Sequence, residues 1–374
     1  MGLALAVIVG ERLLRLPALL MKRNIFPMPL SNTKPILDLS RADGNILVDQ
    51  KSIKSVTLSP SSLASLPSRD KYLELKKSIA QYYDFQPDGV VIGNGSDELI
   101  DSIAREVDGG TSLTLVPTFE RLFEVSEKFG HKHELFSLRL SDEFRYTDTF
   151  HEDFILKVKE FSPDIVWLCS PNNPTGSVIS VGQLSDIARA AKNGLVVIDV
   201  AFADIVDGSL VSQYAALIAS HENIIILNSF SKSWGMSGLR LGFILASKHK
   251  ANLIARHSVV FNVNSVALEV ALLCLEDDGY KTESFSNIEK NRKKILSNIG
   301  KLDKYQVIMN EPLNIVCIRH KTKQNLHENL LELGIKTKSL NKMPGMENKG
   351  FCRVLVPATD SDTDKLLRAL ESIS

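Results

Sequence analysis

Four polar groups of different kinds stand directly behind short apolar runs in this chain. Lys232 follows "NIIILNS" (223–229), lies between Ser231 and Ser233, and is trailed by Arg240. Asp199 closes the run "LVVID", Asn173 sits in "SPNNPTG" (170–176) behind "IVWLC", and Gly95, Ser96 and Asp97 follow "VVIGN". An amine loses its proton readily in a desolvated, cationic pocket and becomes a nucleophile. A carboxylate at the end of a continuous apolar run is costly unless it meets a cation. Two prolines stiffen the asparagine loop and hold an amide in place. Glycines at the start of a helix bring free N–H groups and partial positive charge close to an anion, and Arg240 adds a fork-shaped cation. Each group has a plainer use as a surface cation, a helix cap or a glycine turn. Together they make an amine nucleophile, an anion for a ring nitrogen, an amide for a ring hydroxyl, and a phosphate cup.

Such groups need rigid elements behind them. Apolar runs at 112–117, 164–170, 194–200, 223–229 and 241–247 alternate with helical patterns such as Leu73 to Tyr83 and Gly182 to Lys192. This alternation predicts a mostly parallel sheet with helices on both faces, whose strand ends expose the reactive groups. After Ser247 the pattern changes. Charged helical stretches span about 267–302, followed by "YQVIMNEPLNIVCIRH", a helix near 324–333, "FCRVLVP" (351–357), and a terminal helix capped by Ser361. The expected fold class is therefore α/β, with a large domain over 68–245 and a smaller α+β domain from 36–67 and 246–374. Residues 1–35 read as an amino-terminal extension or arm.

The length of 374 residues agrees with two domains. Lys+Arg and Asp+Glu balance at 44 each, so no global field recruits nucleic acid or an anionic membrane. The apolar stretch Gly2 to Gly10 is too short to span a bilayer, and its charges follow it, unlike those of a signal peptide. Four scattered cysteines have no metal-ligand spacing. Cys169, Cys274 and Cys317 lie in apolar runs and read as buried thiols of a reducing, cytoplasmic compartment. His131 and His133 read as a solvated strand edge, and no metal site is expected. Glu98 breaks the G-x-G-x-x-G spacing, and Gly95-Ser96 lacks a nucleophile elbow.

Pyridoxal phosphate requires all four groups named at the outset. "SPNNPTG", "VVIDVAF" and "SFSKSWGMSGLRLGF", in this order, resemble the fold-type I pyridoxal-phosphate enzymes of aminotransferase class I/II. Within them the chain is most similar to the group of histidinol-phosphate aminotransferase and threonine-phosphate decarboxylase, over about 36–372. The resemblance implies that Lys232 is the Schiff-base lysine and proton shuttle, and that Asp199 keeps the pyridine nitrogen protonated. Asn173 is then the donor to the phenolic oxygen, and Phe119 the ring that stacks on the cofactor. Gly95, Ser96 and Asp97 with Ser229, Ser231 and Arg240 form the phosphate site, and Arg353 forks the substrate carboxylate. The implied reaction moves an amino group from an amino acid or phosphorylated amine to a 2-oxo acid, in a homodimer. The alternatives are a decarboxylase of the threonine-phosphate type and a non-catalytic binding protein on the same fold. Three departures accompany the resemblance. Phe202 replaces a tyrosine, Leu66-Pro67 replaces a tyrosine-proline pair, and "LDLSRADGNI" lacks the asparagine-rich pattern that approaches substrate. The two lost hydroxyls cost about 1–1.5 kcal/mol each.

Overall fold

The computed structural model describes residues 36–48, 64–322 and 325–373, with a short antiparallel ladder of Ile8–Val9 on Arg12–Leu13. Apart from that ladder the expected arm, 1–35, lies outside the described residues, as does 49–63 of the expected small domain. The strands in chain order are β1 (Leu37–Asp38), β2 (Val90–Gly93), β3 (Thr111–Val116), β4 (Lys132–Ser137), β5 (Ile165–Cys169), β6 (Leu195–Asp199) and β7 (Ile224–Ser229). They continue as β8 (Gly242–Leu245), β9 (Tyr305–Val307), β10 (Ile315–His320), β11 (Ile335–Lys336), β12 (Lys338–Ser339) and β13 (Cys352–Leu355). The helices are α1 (Arg69–Tyr82), α2 (Gly95–Arg105), α3 (Arg121–Lys128), α4 (Asp148–Phe161), α5 (Val181–Ala190) and α6 (Ala203–Val206). Then come α7 (Leu210–Ala216), α8 (Lys248–Ala255), α9 (Ser265–Glu276), α10 (Gly279–Ile299), α11 (Leu326–Glu332) and α12 (Asp360–Ser372).

The large sheet has the order β2-β8-β7-β6-β5-β3-β4 and is parallel except for β8, which runs antiparallel to both neighbours. Strands β5, β6 and β7 are buried along their whole length, as the unbroken apolar runs require of strands covered on both faces. Alternate side chains serve opposite faces. Val166, Leu168, Val196, Ile198, Ile224 and Ile226 join one core with α1, α4, α5, α7 and α9. Ile165, Trp167, Cys169, Leu195, Val197, Ile225 and Leu227 join the other with α2, α3 and α8. Helices α8 and α9 therefore pack on the large sheet even though they follow its last strand in sequence.

A second sheet, antiparallel and ordered β9-β10-β13-β12, carries a separate core of α10, α11 and α12. The segment β1 pairs in parallel with β11, so chain from before the large sheet is stitched beside the second one. The charged helical stretches expected at 267–302 are two helices, separated at Asp277 and Asp278. Two sequence expectations change. The last helix is capped by Thr359 and not Ser361, because the Thr359 hydroxyl accepts the Asp362 N–H at 3.1 Å. His131 and His133 are not a solvated edge. The first is buried with Nε2 3.1 Å from the Ala104 carbonyl, the second is half-buried with Nε2 3.0 Å from Thr114 Oγ1, and burial pushes its pKa down to about 4.

Candidate active site

A cleft of about 310 Å³ opens beyond the carboxyl ends of β5, β6 and β7, where open α/β sheets receive ligands. Its volume is at the lower end of the range for small-molecule sites, about 300–1,000 Å³. Ser96, Asp97, Phe119, Asn173, Asp199, Ser229, Ser231, Lys232, Arg240 and Arg353 all line it. Gly95 does not line the cleft but lies directly behind Arg240. A Cβ on Gly95 would stand 2.7 Å from Arg240 Nη2, and the residue has φ +77°, so only glycine suits this position.

Lys232 is carried on a tight loop between β7 and β8. Phe230 N–H donates to the Leu241 carbonyl at 3.0 Å, and Met236 N–H to the Phe230 carbonyl at 2.9 Å. Ser233 Oγ donates to the Ala201 carbonyl at 3.0 Å, which ties this loop to the one after β6. Trp234 is fully buried, and Lys281 at the start of α10 places Nζ 3.8 Å from its ring centre. Burial is the main cause that lowers the Lys232 pKa. Asp43 opposes it, Arg353 adds to it, Asp199 opposes it, and Arg41 contributes least.

Asp199 is buried, and that burial raises its carboxyl to about 6. A hydrogen bond from the Ala201 N–H at 3.0 Å and the charge of Lys232 pull the other way, whereas Asp97 adds to the rise. Beside it the amide oxygen of Asn173 accepts from Arg353 Nη1 at 2.9 Å, so the amide must offer its NH₂ group in the other direction. Arg353, on β13, donates Nη2 to the Ser40 carbonyl at 3.0 Å, and its buried Nε has no partner among the described residues.

The rest of the cleft is cationic and hydroxylic. Ser96 lies in the first turn of α2 and Ser229 at the end of β7. Gly242 lets α2 approach, because a Cβ there would stand 2.7 Å from the Ser96 nitrogen. Arg240 donates Nη2 to Asp97 Oδ2 at 2.9 Å, and Arg121 donates Nε to Asp97 Oδ1 at 3.3 Å. The Asp97 carboxylate thus orients cations, and only its backbone N–H could serve an anion.

The cleft also contains groups that the sequence reading did not select. Ser40, Arg41, Ala42 and Asp43 form one wall, and Glu120, Lys338, Cys169, Ala201 and Phe202 complete the lining. Asp43 Oδ2 lies 3.7 Å from Lys232 Nζ. An arginine and an aspartate two apart before a glycine were the available signal, in the very stretch noted only for what it lacks.

The chain matches the family model described as "Aminotransferase class I and II" over residues 40–373, and it belongs to that family. It is 30% identical over 302 residues to the histidinol-phosphate aminotransferase of Caldanaerobacter subterraneus subsp. tengcongensis, which covers 80% of this chain and 82% of that protein. Among solved structures, the histidinol-phosphate aminotransferase from Clostridium acetobutylicum matches with a TM-score of 0.80 at 25% identity, over 90% of this chain and 98% of that one. L-threonine-O-3-phosphate decarboxylase from Porphyromonas gingivalis matches at TM-score 0.77 and 20% identity, over 90% and 99%. Histidinol-phosphate aminotransferase from Sinorhizobium meliloti, solved with pyridoxal-5'-phosphate, matches at 0.78 and 19%, over 90% of each chain. The last two establish the shared fold. The protein is a pyridoxal-phosphate-dependent aminotransferase of this class. Its donor set fits that group: a desolvated carboxylate for a protonated ring nitrogen, an amide NH₂ for a phenolic oxygen, an amine, and a hydroxyl- and arginine-lined end for a phosphate.

Proposed function

We propose that the protein moves an amino group from a phosphorylated amine of the histidinol-phosphate type, or an amino acid, to a 2-oxo acid. The observation that carries this reading is the convergence of Lys232, Asp199, Asn173, Arg240 and Arg353 on one cleft. In this reading Ser96, Ser229, Ser231 and Arg240, with the N–H groups of the first turn of α2, hold the cofactor phosphate. Asp199 holds the proton on the ring nitrogen, Asn173 donates to the phenolic oxygen, and Phe119 packs against the ring. Bound there, pyridoxal phosphate supplies an aldehyde for amines and a ring that draws electrons from the donor's Cα. Lys232 would hold that group through Nζ and, when freed, would accept and return the proton at the donor's Cα. Arg353 orients a substrate anion, and its unpartnered Nε leaves capacity for one more hydrogen bond.

A decarboxylase remains the second reading on a specific observation. Phe202 is buried and lines the cleft where the resembled aminotransferases carry a tyrosine. Product analysis with histidinol phosphate and 2-oxoglutarate, and separately with threonine phosphate, decides between them. A 2-oxo acid-dependent amino transfer supports the first reading, and carbon dioxide release without amino transfer supports the second.

The proposal includes a cytoplasmic homodimer of two-domain chains, divided near 68 and 245, with α8 and α9 packed on the large sheet. All four cysteines are buried and free, which suits a reducing compartment. No helix among the described residues is long and apolar enough to cross a membrane. Val259 and Val260 are 71% and 74% exposed, on a loop tied to α1 by the Val263 N–H donating to Tyr72 Oη at 2.8 Å. Leu66, ahead of the same helix, is 72% exposed. Apolar residues this exposed near one helix support a subunit contact there. Sedimentation or light scattering of the wild type and of Val260→Asp tests it.

A further inference from the structure

The wall formed by residues 40–46 is fixed on both sides of Asp43. Upstream, the Ser40 carbonyl accepts from Arg353 Nη2. Downstream, Asn45 Nδ2 donates to the Val356 carbonyl at 2.9 Å, and Asn314 Nδ2 donates to Asn45 Oδ1 at 3.0 Å. Gly44, at φ +90°, makes the turn between them. Ile46 is buried, and its carbonyl packs against Gly235, three residues beyond Lys232. The Asp43 carboxylate is therefore delivered to the Lys232 loop by a braced segment. It is oriented by Arg41, which donates Nε to Oδ1 at 2.8 Å and Nη2 to Oδ2 at 3.3 Å. The Asp43 side chain is only 10% exposed, whereas Arg41 remains 70% exposed, so the carboxylate faces inward and its partner faces solvent.

We propose that Asp43 is a positioning residue for the reaction: the counter-ion that pairs with the Lys232 ammonium, both in the cofactor-free protein and once the freed amine has taken up a proton. The inference rests on the reading of Lys232 as the reactive lysine. Two carboxylates reach this amine by charge, and they differ in their other duty. Asp199 is needed by the cofactor ring, whereas Asp43 has no such claim on it and lies 3.7 Å from Nζ. Arg353 and Arg41 face the same amine and favour its neutral form, and burial acts in that direction too. For Asp43, burial favours the neutral acid, while Lys232, Arg41 and Ser237 together outweigh it and keep the carboxyl below its usual range. At neutral pH the group is thus an anion, and it meets Lys232 from the wall that also carries Ser40. A protonated Lys232 thus has a fixed anionic partner on the wall of the cleft. Nothing else among the described residues lies within 4.0 Å of Nζ as an anion.

The test uses the full chain freed of cofactor. Lys232 is modified with trinitrobenzenesulfonate across a pH series, and the rate at its own peptide is followed by mass mapping. Because an opposite charge within about 4–6 Å shifts a pKa by roughly one to three units, Asp43→Asn should lower the midpoint of Lys232 reactivity by at least about one unit. That corresponds to a rise of about tenfold or more in its modification rate below the midpoint. Asp43→Glu should keep the midpoint within about half a unit of wild type, a rescue that a merely structural role would not produce. Asp43→Ser repeats the charge removal should the asparagine variant fold poorly. A midpoint unchanged in folded Asp43→Asn or Asp43→Ser overturns the proposal, as does a midpoint that rises. Borohydride reduction of the wild type with pyridoxal phosphate is the separate control. Label on a lysine other than Lys232 defeats the functional reading, while the midpoint shift still decides whether Asp43 pairs with Lys232.

Discussion

The two sides of the cleft are built on different terms. Lys232, Asp199 and Asn173 stand at the ends of adjacent strands that are buried throughout: Asp199 closes its strand, and the other two follow theirs by a few residues of loop behind a rigid rod. The facing side is assembled from far-apart pieces: Ser40–Asp43 from before the large sheet, and Lys338 and Arg353 from the small one. Those pieces meet through side-chain and carbonyl bonds such as Arg353 to Ser40 and Asn45 to Val356. The first side can hold a fixed group in one geometry. The second can be altered piece by piece without disturbing the sheet, which suits the part of a site that chooses among substrates.

The largest expected effect breaks the first side. Lys232→Ala should lose turnover by more than the about 10²–10⁴-fold ascribed to a single acid–base group, with an unchanged circular dichroism spectrum. Retained turnover in this variant would remove the central claim.

Asp199 gives a test that needs no turnover. Its carboxyl is raised from 3.8 to about 6 by burial, so it binds a proton more readily folded than unfolded. Stability contributed by that proton is present below about pH 4 and is lost as pH rises through about 6. A shift of about two units amounts to roughly 3 kcal/mol. Cofactor-free Asp199→Asn should therefore gain stability over wild type toward pH 7–8 and lose that advantage toward pH 4. Denaturant melts at the two ends of this range would show whether the gap opens with rising pH or stays constant, the latter contradicting the assignment.

The substrate side should respond more gently. Arg353→Ala should raise KM for the anionic substrate by about 10- to 100-fold, from the loss of roughly 1.5–3 kcal/mol of charged hydrogen bonding. Cofactor affinity should change much less, and an equal loss in both would mean that the two sides are not separable. The smallest effect is expected for Phe202→Tyr. One added donor should tighten the cofactor by about threefold to tenfold, read by titrating the cofactor-free protein. Weaker binding would mean that the packed ring has no room for a hydroxyl.

The same contrast explains what could be read from the residues alone. Apolar runs announce strands, and a lone lysine, aspartate or asparagine just behind such a run is a local signal. For Arg353 the residue pattern offered only a cation in a short strand, and the family resemblance supplied its role. Asp43 escaped because its contact with Lys232 joins parts of the chain 189 positions apart (232 − 43) and leaves no periodic trace. His133 looked like a surface residue because nothing in its neighbours foretells that Thr114, on the adjacent strand, would receive its ring.

Gly235 sets the spacing between the two sides. It has φ +69°, and a Cβ at that position would lie 2.4 Å from the Ile46 carbonyl oxygen. The gauge of the cleft at this point is therefore fixed by a methyl group that is missing. Enlarging or trimming the lining side chains changes what fits between the walls but leaves the gap itself alone, whereas any side chain at 235 acts as a shim that drives the segment carrying Asp43 away from the lysine loop.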